Sequence, residues 1–349
     1  MFEIEVINQI NSQLVDKESE EIFSIRIGEV MQNNWGGNYF VDYLCNRCDE
    51  YRLSDYDDFR DLCKEKHIII RGAGIAGKMT YLLLQTMGID IEMFCDNDVE
   101  KQRNGYLNKP VISESELIAE YKDRFVVIAS MYQGALFYGS LIGQSFPREN
   151  LFLPRIGYLY AIRGWQYFDC EYIMPERGEV FVDCGCFDGG TSADFIRWCN
   201  GEYDSIIAFE PDKFCNTNIK QNCKYDRFTL YPYATGAKRE EAYFNSTSDG
   251  GSRIDTKGSE VVTVESIDNI LDGRKATYIK LDVEGAELDT LKGAQNTIIN
   301  YKPRLAISIY HKPLDIIEIP KYVMGLRDDY KFCIRHYTNC RWETILYAF

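Results

Sequence analysis

Twice along the chain, short β-branched runs alternate with segments of helical periodicity, a pattern that points to a parallel sheet covered by helices. The first cycle starts at His67 with HIIIRGAG and GKMTYLLLQTMG, then IDIEMFCDND, SESELIAEY and RFVVIAS. The second starts near Glu179 with EVFVDCG, TSADFIRWC, SIIAFEP, NTNIKQN and FTLYPYA, and continues in ATYIKLD, AELDTLKGAQNTI and RLAISIY. It closes on YKFCIRHYT and ETILYAF, two strand-like runs joined by NCRW, which read as a hairpin. Ahead of both cycles, QINSQLVDKESEEIFSIRIGEVM and the Ser-capped LSDYDDFRDLC read as helices without a catalytic constellation, suited to packing or to contacts in a homo-oligomer. The expected organisation is a helical segment over residues 1–66, a small Rossmann-like α/β unit over 67–154 and a larger α/β unit over 155–349.

The length of 349 residues suits two domains at roughly 150 residues each. With 39 Lys and Arg against 54 Asp and Glu, the net charge of −15 disfavours nucleic acid or an anionic membrane as a partner. A small-molecule or saccharide substrate fits better. No apolar run is long enough to cross a bilayer, and Glu3 and Glu5 stand where a secretory signal carries basic residues, so a cytoplasmic location is expected. The 12 cysteines are scattered through apolar segments and read as reduced core residues. Cys45 and Cys48 have metal-ligand spacing, but no second pair follows to complete a zinc site.

The strongest chemical signal is VFVDCGCFDGGTS over residues 180–192. An apolar strand ends in Asp183, and Gly185, Gly189 and Gly190 allow a tight turn and a close backbone approach to a ligand before a helix opening near Thr191. At the end of the next strand, in SIIAFEP, Glu210 stands where a carboxylate can accept both ribose hydroxyls. A generic strand–turn–helix bend is the competing reading. In YIKLDVEGAELDTLKGA, Asp282 and Glu284 fall at a further strand exit, able to orient a hydroxyl, favour a sulfonium cation or bind a divalent metal. Glu287 reads equally well as an early-helix charge favoured by the macrodipole.

These strings, VDCGCFDGG, AFEPD, IKLDVEGAELDTLKGA, RLAISIYHKPLDIIEIP and RHYTNCRWETILYA, resemble the FkbM family of S-adenosylmethionine-dependent methyltransferases over about residues 155–349. The turn CGCFDGG departs from the family, which more often has a small residue and Asn where Cys186 and Asp188 stand. The resemblance implies a class I methyltransferase sheet of order 3-2-1-4-5-7-6 with a C-terminal antiparallel hairpin. It also implies that Asp183, Gly185, Asp188, Gly189 and Thr191 surround the methionine and ribose parts of S-adenosyl-L-methionine, with Glu210 on the ribose diol and Tyr233 and Ala234 near adenine. Asp282 and Glu284 would face the methyl group and the substrate, and O-methylation of a saccharide or natural-product hydroxyl is the implied reaction.

Among the 3 histidines, His311 at the exit of RLAISIYH is the base candidate on type, since a neutral imidazole is available near pH 7. A structural histidine bonded to Asp315 competes with that reading, and His336 is a second candidate. In the first cycle, RGAGIAG places Gly72, Gly74 and Gly77 as GxGxxG ahead of a helix, with Asp96 at about the roughly 20-residue spacing of a ribose-binding acid. CDNDVEKQRNGYLNKPVIS is similar to the small domains at the front of sugar acyltransferases that hold a nucleotide-sugar. A degenerate scaffold domain is the competing reading. Two rival functions follow: an NAD-dependent oxidoreductase acting through RGAGIAG, and a noncatalytic nucleotide-sugar-binding scaffold. The aromatic run YLYAIRGWQYFDCEYIMP, residues 158–175, is read as a cofactor lid or substrate wall.

Overall fold

The computed structural model describes residues 4–31, 54–130, 133–154, 165–246, 251–338 and 342–349; Cys45 and Cys48 lie outside them. The chain divides into two compact units, one of Gly36–Arg163 with Tyr337–Arg341, the other of Met1–Trp35, Gly164–His336 and Trp342–Phe349.

In the first unit, β1 (Ile68–Arg71), β2 (Met93–Cys95), β3 (Val111–Ile112), β4 (Phe125–Ile128) and β5 (Leu151–Phe152) form one sheet of order β3-β2-β1-β4-β5. All four pairings are parallel. Helices Ile75–Thr86, Val99–Asn104, Glu114–Glu120 and Gly134–Gly143 lie between successive strands, as parallel connections require. Their starts are legible locally: Asp98 accepts the N–H groups of Glu100 and Lys101, and Ser113 that of Glu116. Ile69, Val126, Ile128, Leu117 and Leu141 form the core.

The second unit is built on a seven-stranded sheet. Its strands are β6 (Glu179–Cys184), β7 (Tyr203–Phe209), β8 (Phe228–Tyr231), β13 (Tyr278–Leu281), β14 (Arg304–Ser308), β15 (Phe332–His336) and β16 (Thr344–Ala348). The order β15-β16-β14-β13-β6-β7-β8 is 3-2-1-4-5-7-6 when the strands are numbered within this sheet. β16 runs antiparallel to both β14 and β15, with Phe332 opposite Ala348 and His336 opposite Thr344. The order reverses between β6 and β13, and there the loops leaving the two strands must diverge, opening a crevice at the strands' carboxyl ends.

Between β8 and β13 the chain builds a second sheet that the sequence reading does not anticipate. It consists of β9 (Ala234–Thr235), β10 (Glu240–Asn245), β11 (Arg253–Ile254) and β12 (Glu260–Glu265), in the order β11-β10-β12-β9. Its small core is Ala234, Phe244, Val262 and Val264.

The helices described within residues 1–66 divide between the two units. Helices Ile4–Gln13 and Lys17–Met31 belong to the second unit, whereas Ser54–Cys63 falls in the first. The first two cover the open edge of the larger sheet. The N–H of Val15 donates to the carbonyl of Phe332 at 3.0 Å, and that of Ile334 to Ser19 Oγ at 2.8 Å. Edge strands need such cover because their free backbone groups otherwise recruit other chains. Behind this edge Arg26, fully buried, pairs with Glu29 at 3.1 Å and donates through Nε to Thr344 Oγ1 at 3.2 Å.

At its described end the aromatic run buries Tyr167, Phe168 and Ile173 and exposes Trp165 and Tyr172. The Phe168 ring packs 5.8 Å from Phe181 and 5.7 Å from Tyr278. Residues 155–164 lie outside the described part. No helix among the described residues is long and apolar enough to cross a membrane. The cysteines identified as free are all buried except Cys223, which is half-buried.

Candidate active site

The crevice is assembled where β6 and β13 run side by side, with Cys184 opposite Leu281. Asp282 donates its N–H to the Cys184 carbonyl at 3.1 Å. Gly185, at φ +78°, passes so close that a Cβ would run into the Asp282 carbonyl. Only glycine fits there. The turn is then held by Gly185 N–H and Cys186 N–H on the Phe209 carbonyl, and by Gly189 N–H on the Cys186 carbonyl at 2.7 Å. Asp188 is exposed and caps Gly190 N–H at 2.8 Å, and Thr191 is half-exposed in the first turn of helix Gly190–Trp198.

Asp183 does not face the crevice. It is fully buried, accepting from Ser192 Oγ at 2.8 Å and facing Lys280 Nζ at 3.3 Å. Its expected contact with a ligand is therefore corrected to an indirect one: it clamps the loop. Lys280 also donates to the carbonyls of Cys184 at 3.3 Å and Gly185 at 2.7 Å, so the ammonium knots β6, β13 and the turn together. Burial alone would push Lys280 down, but Asp183 and Asp282 outweigh it and hold the group above its ordinary range.

Glu210 follows β7 and is 6% exposed. Oε1 accepts Asp212 N–H and Oε2 accepts Phe187 N–H, each at 2.9 Å. Burial raises its carboxyl to about 7, against the lowering by these two N–H groups, and Asp212 adds to the rise. The expected adenine contacts fare differently. Tyr233 is half-buried with its ring 5.9 Å from Tyr231, but the Ala234 methyl is spent in the core of the small sheet. Only the Ala234 backbone remains for a ligand.

The most charged part of the crevice lies beyond β13 and β14. Asp282 accepts hydroxyl bonds from Tyr167 at 2.8 Å and Tyr310 at 3.1 Å. Burial raises its carboxyl, but Lys280 and His311 outweigh that and keep it below the usual carboxylate range. Tyr167 is held for this contact at φ +77°, its N–H on the Tyr347 hydroxyl and its carbonyl bonded by the Tyr278 hydroxyl. Glu284 projects from a turn at φ +52°. The imidazole of His311 stands among three carboxylates, with Nε2 3.6 Å from Asp282 and 3.4 Å from Glu284, and Nδ1 2.9 Å from Glu287.

Burial alone would lower His311, but Glu287 with Glu284 and Asp282 outweighs it and holds the imidazole well above its ordinary value. The three carboxylates therefore favour the protonated form of the ring. Its partner is Glu287 rather than Asp315, which instead accepts Lys312 N–H at 2.8 Å. Nor is Glu287 a mere early-helix charge, because it is 1% exposed and accepts Val283 N–H and Gly285 N–H. His336 is buried in β15 with Nδ1 2.8 Å from Thr344 Oγ1. β14 and β16 separate its strand from β13.

In the first unit, RGAGIAG forms the turn from β1 into helix Ile75–Thr86. Gly72 and Gly77 serve packing, since a Cβ would meet the Ala129 carbonyl at the first and the Gly72 carbonyl at the second. Gly74 opens into free space. Asp96 uses Oδ2 on Ala73 N–H at 2.7 Å and Oδ1 on Asp98 N–H at 3.0 Å, clamping the turns after β1 and β2.

Sequence reasoning missed Lys280, Ser192, Tyr167 and Tyr310. Lys280 carried a signal: a lysine inside the apolar strand YIKL is buried only with a partner.

Compared with known proteins, no curated protein matches the chain. A solved structure described as methyltransferase FkbM from Methylobacillus flagellatus KT is similar at 20% identity and a TM-score of 0.50, covering 89% of this chain and 99% of that one. At that identity the likeness speaks for the fold alone. The sequence model of the methyltransferase FkbM domain matches residues 183–332, which run from the clamp of the β6 turn through both carboxylate loops into β15. Fold, crevice and match agree, and residues 183–332 are a methyltransferase FkbM domain.

Proposed function

We propose that the chain is an S-adenosyl-L-methionine-dependent methyltransferase acting on a hydroxyl of a saccharide or related natural-product precursor. The observation that carries the cofactor assignment is Glu210: a carboxylate 6% exposed, each oxygen holding a single backbone N–H. A carboxylate offers about four lone-pair sites, so one on each oxygen is left for a vicinal diol such as ribose. The turn Gly185–Gly190 beside it bends tightly at Gly185 and Gly189, both at positive φ. These residues fit the group: Glu210 would hold the ribose, and Tyr233 would flank the base. When bound, the group supplies an electrophilic methyl on a sulfonium.

The protein's own part is positioning and charge. Asp282, fixed by the hydroxyls of Tyr167 and Tyr310, would orient the acceptor hydroxyl. Attack on a methyl makes that oxygen far more acidic, so a carboxylate as weak as Asp282 or Glu284 suffices to take the proton. His311 would stabilise this carboxylate pair rather than act as the base. For the first unit, we infer that a nucleotide or nucleotide-sugar binds at the backbone of the Gly72–Gly77 turn around Gly74, beside Asp96. The support is that Gly74 starts its helix in open space with no side-chain cap.

Isothermal titration with S-adenosylhomocysteine, beside NAD and a UDP-sugar, tests these assignments. Micromolar S-adenosylhomocysteine binding that Glu210→Ala abolishes supports the cofactor site. No heat from wild-type protein overturns it, and heat from NAD alone would move the chemistry to RGAGIAG.

A further inference from the structure

Behind His311 stands an arrangement that methyl transfer by itself does not require. Glu287, 1% exposed, stands 2.9 Å from Nδ1, while Nε2 lies 3.6 Å from Asp282 and 3.4 Å from Glu284. The side chain of His311 is nine-tenths buried, and neither ring nitrogen makes a well-formed hydrogen bond to these carboxylates. One ligand atom from each of Asp282, Glu284 and His311 lies within 4.8 Å of the others. A histidine backed by a buried carboxylate on one nitrogen and open toward oxygen ligands on the other is the usual setting of a metal-bound imidazole.

We propose that Asp282, Glu284 and His311 Nε2 bind one divalent cation, with Glu287 as the positioning residue behind the imidazole. Two carboxylates and one imidazole suit a first-row ion in the range from Mn2+ to Zn2+ better than an all-oxygen ion such as Ca2+. Three protein ligands leave coordination positions open. On the function proposed above, an oxygen of the acceptor would fill one of them, and a vicinal diol of a saccharide two. The site thus narrows the acceptor to a hydroxyl with a neighbouring oxygen that can chelate.

The test is uptake of Mn2+ by metal-stripped whole chain, read from the loss of the free-ion paramagnetic resonance signal. One equivalent should be taken up at micromolar concentration. Asp282→Asn and Glu284→Gln should abolish that uptake, and Glu287→Gln should weaken it about 10- to 100-fold. Glu241→Gln, on the exposed face of β10, should leave it unchanged and so control for diffuse binding to an acidic surface. Thermal melts establish that each variant is folded. Uptake absent from wild type at millimolar Mn2+, or the same in folded Asp282→Asn and Glu284→Gln as in wild type, overturns the site. S-adenosylhomocysteine titration of the same samples separates the two proposals: Mn2+ uptake without that binding supports the metal site and removes the cofactor reading. Binding without Mn2+ uptake does the reverse.

Discussion

The carboxylate of Glu210 holds the N–H of Phe187 at 2.9 Å, so the acid that ends β7 also fixes the turn that follows β6. Ligand and loop would therefore share one buried charge. Burial, with Asp212 adding to it, raises Glu210 to about 7 in the free protein. Two ribose hydroxyls donate to the ionised form and would lower that value in the complex, so binding releases a proton. Affinity for S-adenosylhomocysteine should fall about tenfold per pH unit below 7 and level off above it. Titration calorimetry in buffers of different ionisation enthalpy reads the proton directly, and a pH-independent affinity would remove Glu210 from the ribose.

The same group acts on stability with the opposite slope. Its folded value lies above the ordinary 4.5, so its stabilising contribution is complete below about 4.5 and is lost as pH rises through about 7. Ligand-free protein should therefore lose part of its stability to thermal unfolding across that window, and saturating S-adenosylhomocysteine should restore it. Glu210→Ala should lose the window, and a melt whose dependence survives that change would mean another group is responsible.

Asp183 and Lys280 form a buried pair, 0% and 1% exposed. Lys280→Met leaves Asp183 charged and unpaired, which costs about 3–5 kcal/mol, whereas the double change Lys280→Met with Asp183→Asn should recover most of it. Urea unfolding of the three variants measures this. A single change costing under about 1 kcal/mol would mean water reaches the pair.

The alternation of strand and helix made the larger sheet legible in sequence, and the closing hairpin made β16 legible as its reversed strand. Glu210 and Asp282 were legible because each ends an apolar run. The small sheet was not, since EEAYFN and EVVTVE bury one face thinly and alternate charged with apolar residues. That omission hid the burial of the Ala234 methyl against Val262 and Val264. The state of His311 was equally hidden. Type and position suggest a neutral imidazole, but Asp282, Glu284 and Glu287 favour its protonated form, and their convergence on the ring is a tertiary fact. The helical lead read as suited to packing or homo-oligomer contacts, and nothing local says that its packing partner is Arg335 through Asp16.

Tyr167 lies in the segment before β6, yet its hydroxyl reaches Asp282 at 2.8 Å. Its strained φ of +77° is maintained by contacts at both backbone groups. A hydrogen bond to a carboxylate contributes about 1.5–3 kcal/mol, so a double-mutant cycle of Tyr167→Phe and Asp282→Asn should show coupling of that order. Additive unfolding free energies would reduce the contact to coincidence.

Arg335 on β15, 4% exposed, meets Asp16 at 2.7 Å and Glu171 at 2.8 Å. Burial raises the Asp16 carboxyl, but Arg335 and Ser19 outweigh it and bring it down to about 2. The folded value is below the unfolded one, so the stabilisation is present above about 4 and is lost as pH falls toward about 2. Asp16 is partly exposed, so solvent screening reduces the contribution to about 1 kcal/mol at neutral pH. Asp16→Asn should cost that much at pH 7 and flatten the acid limb of the stability curve. Removing both lead helices does more, because it bares the backbone of β15 and strands buried Arg335 without Asp16. The truncated chain should self-associate in light scattering at concentrations where the full chain is dispersed; a dispersed, equally stable truncation would show that the helices are not the cover of that edge.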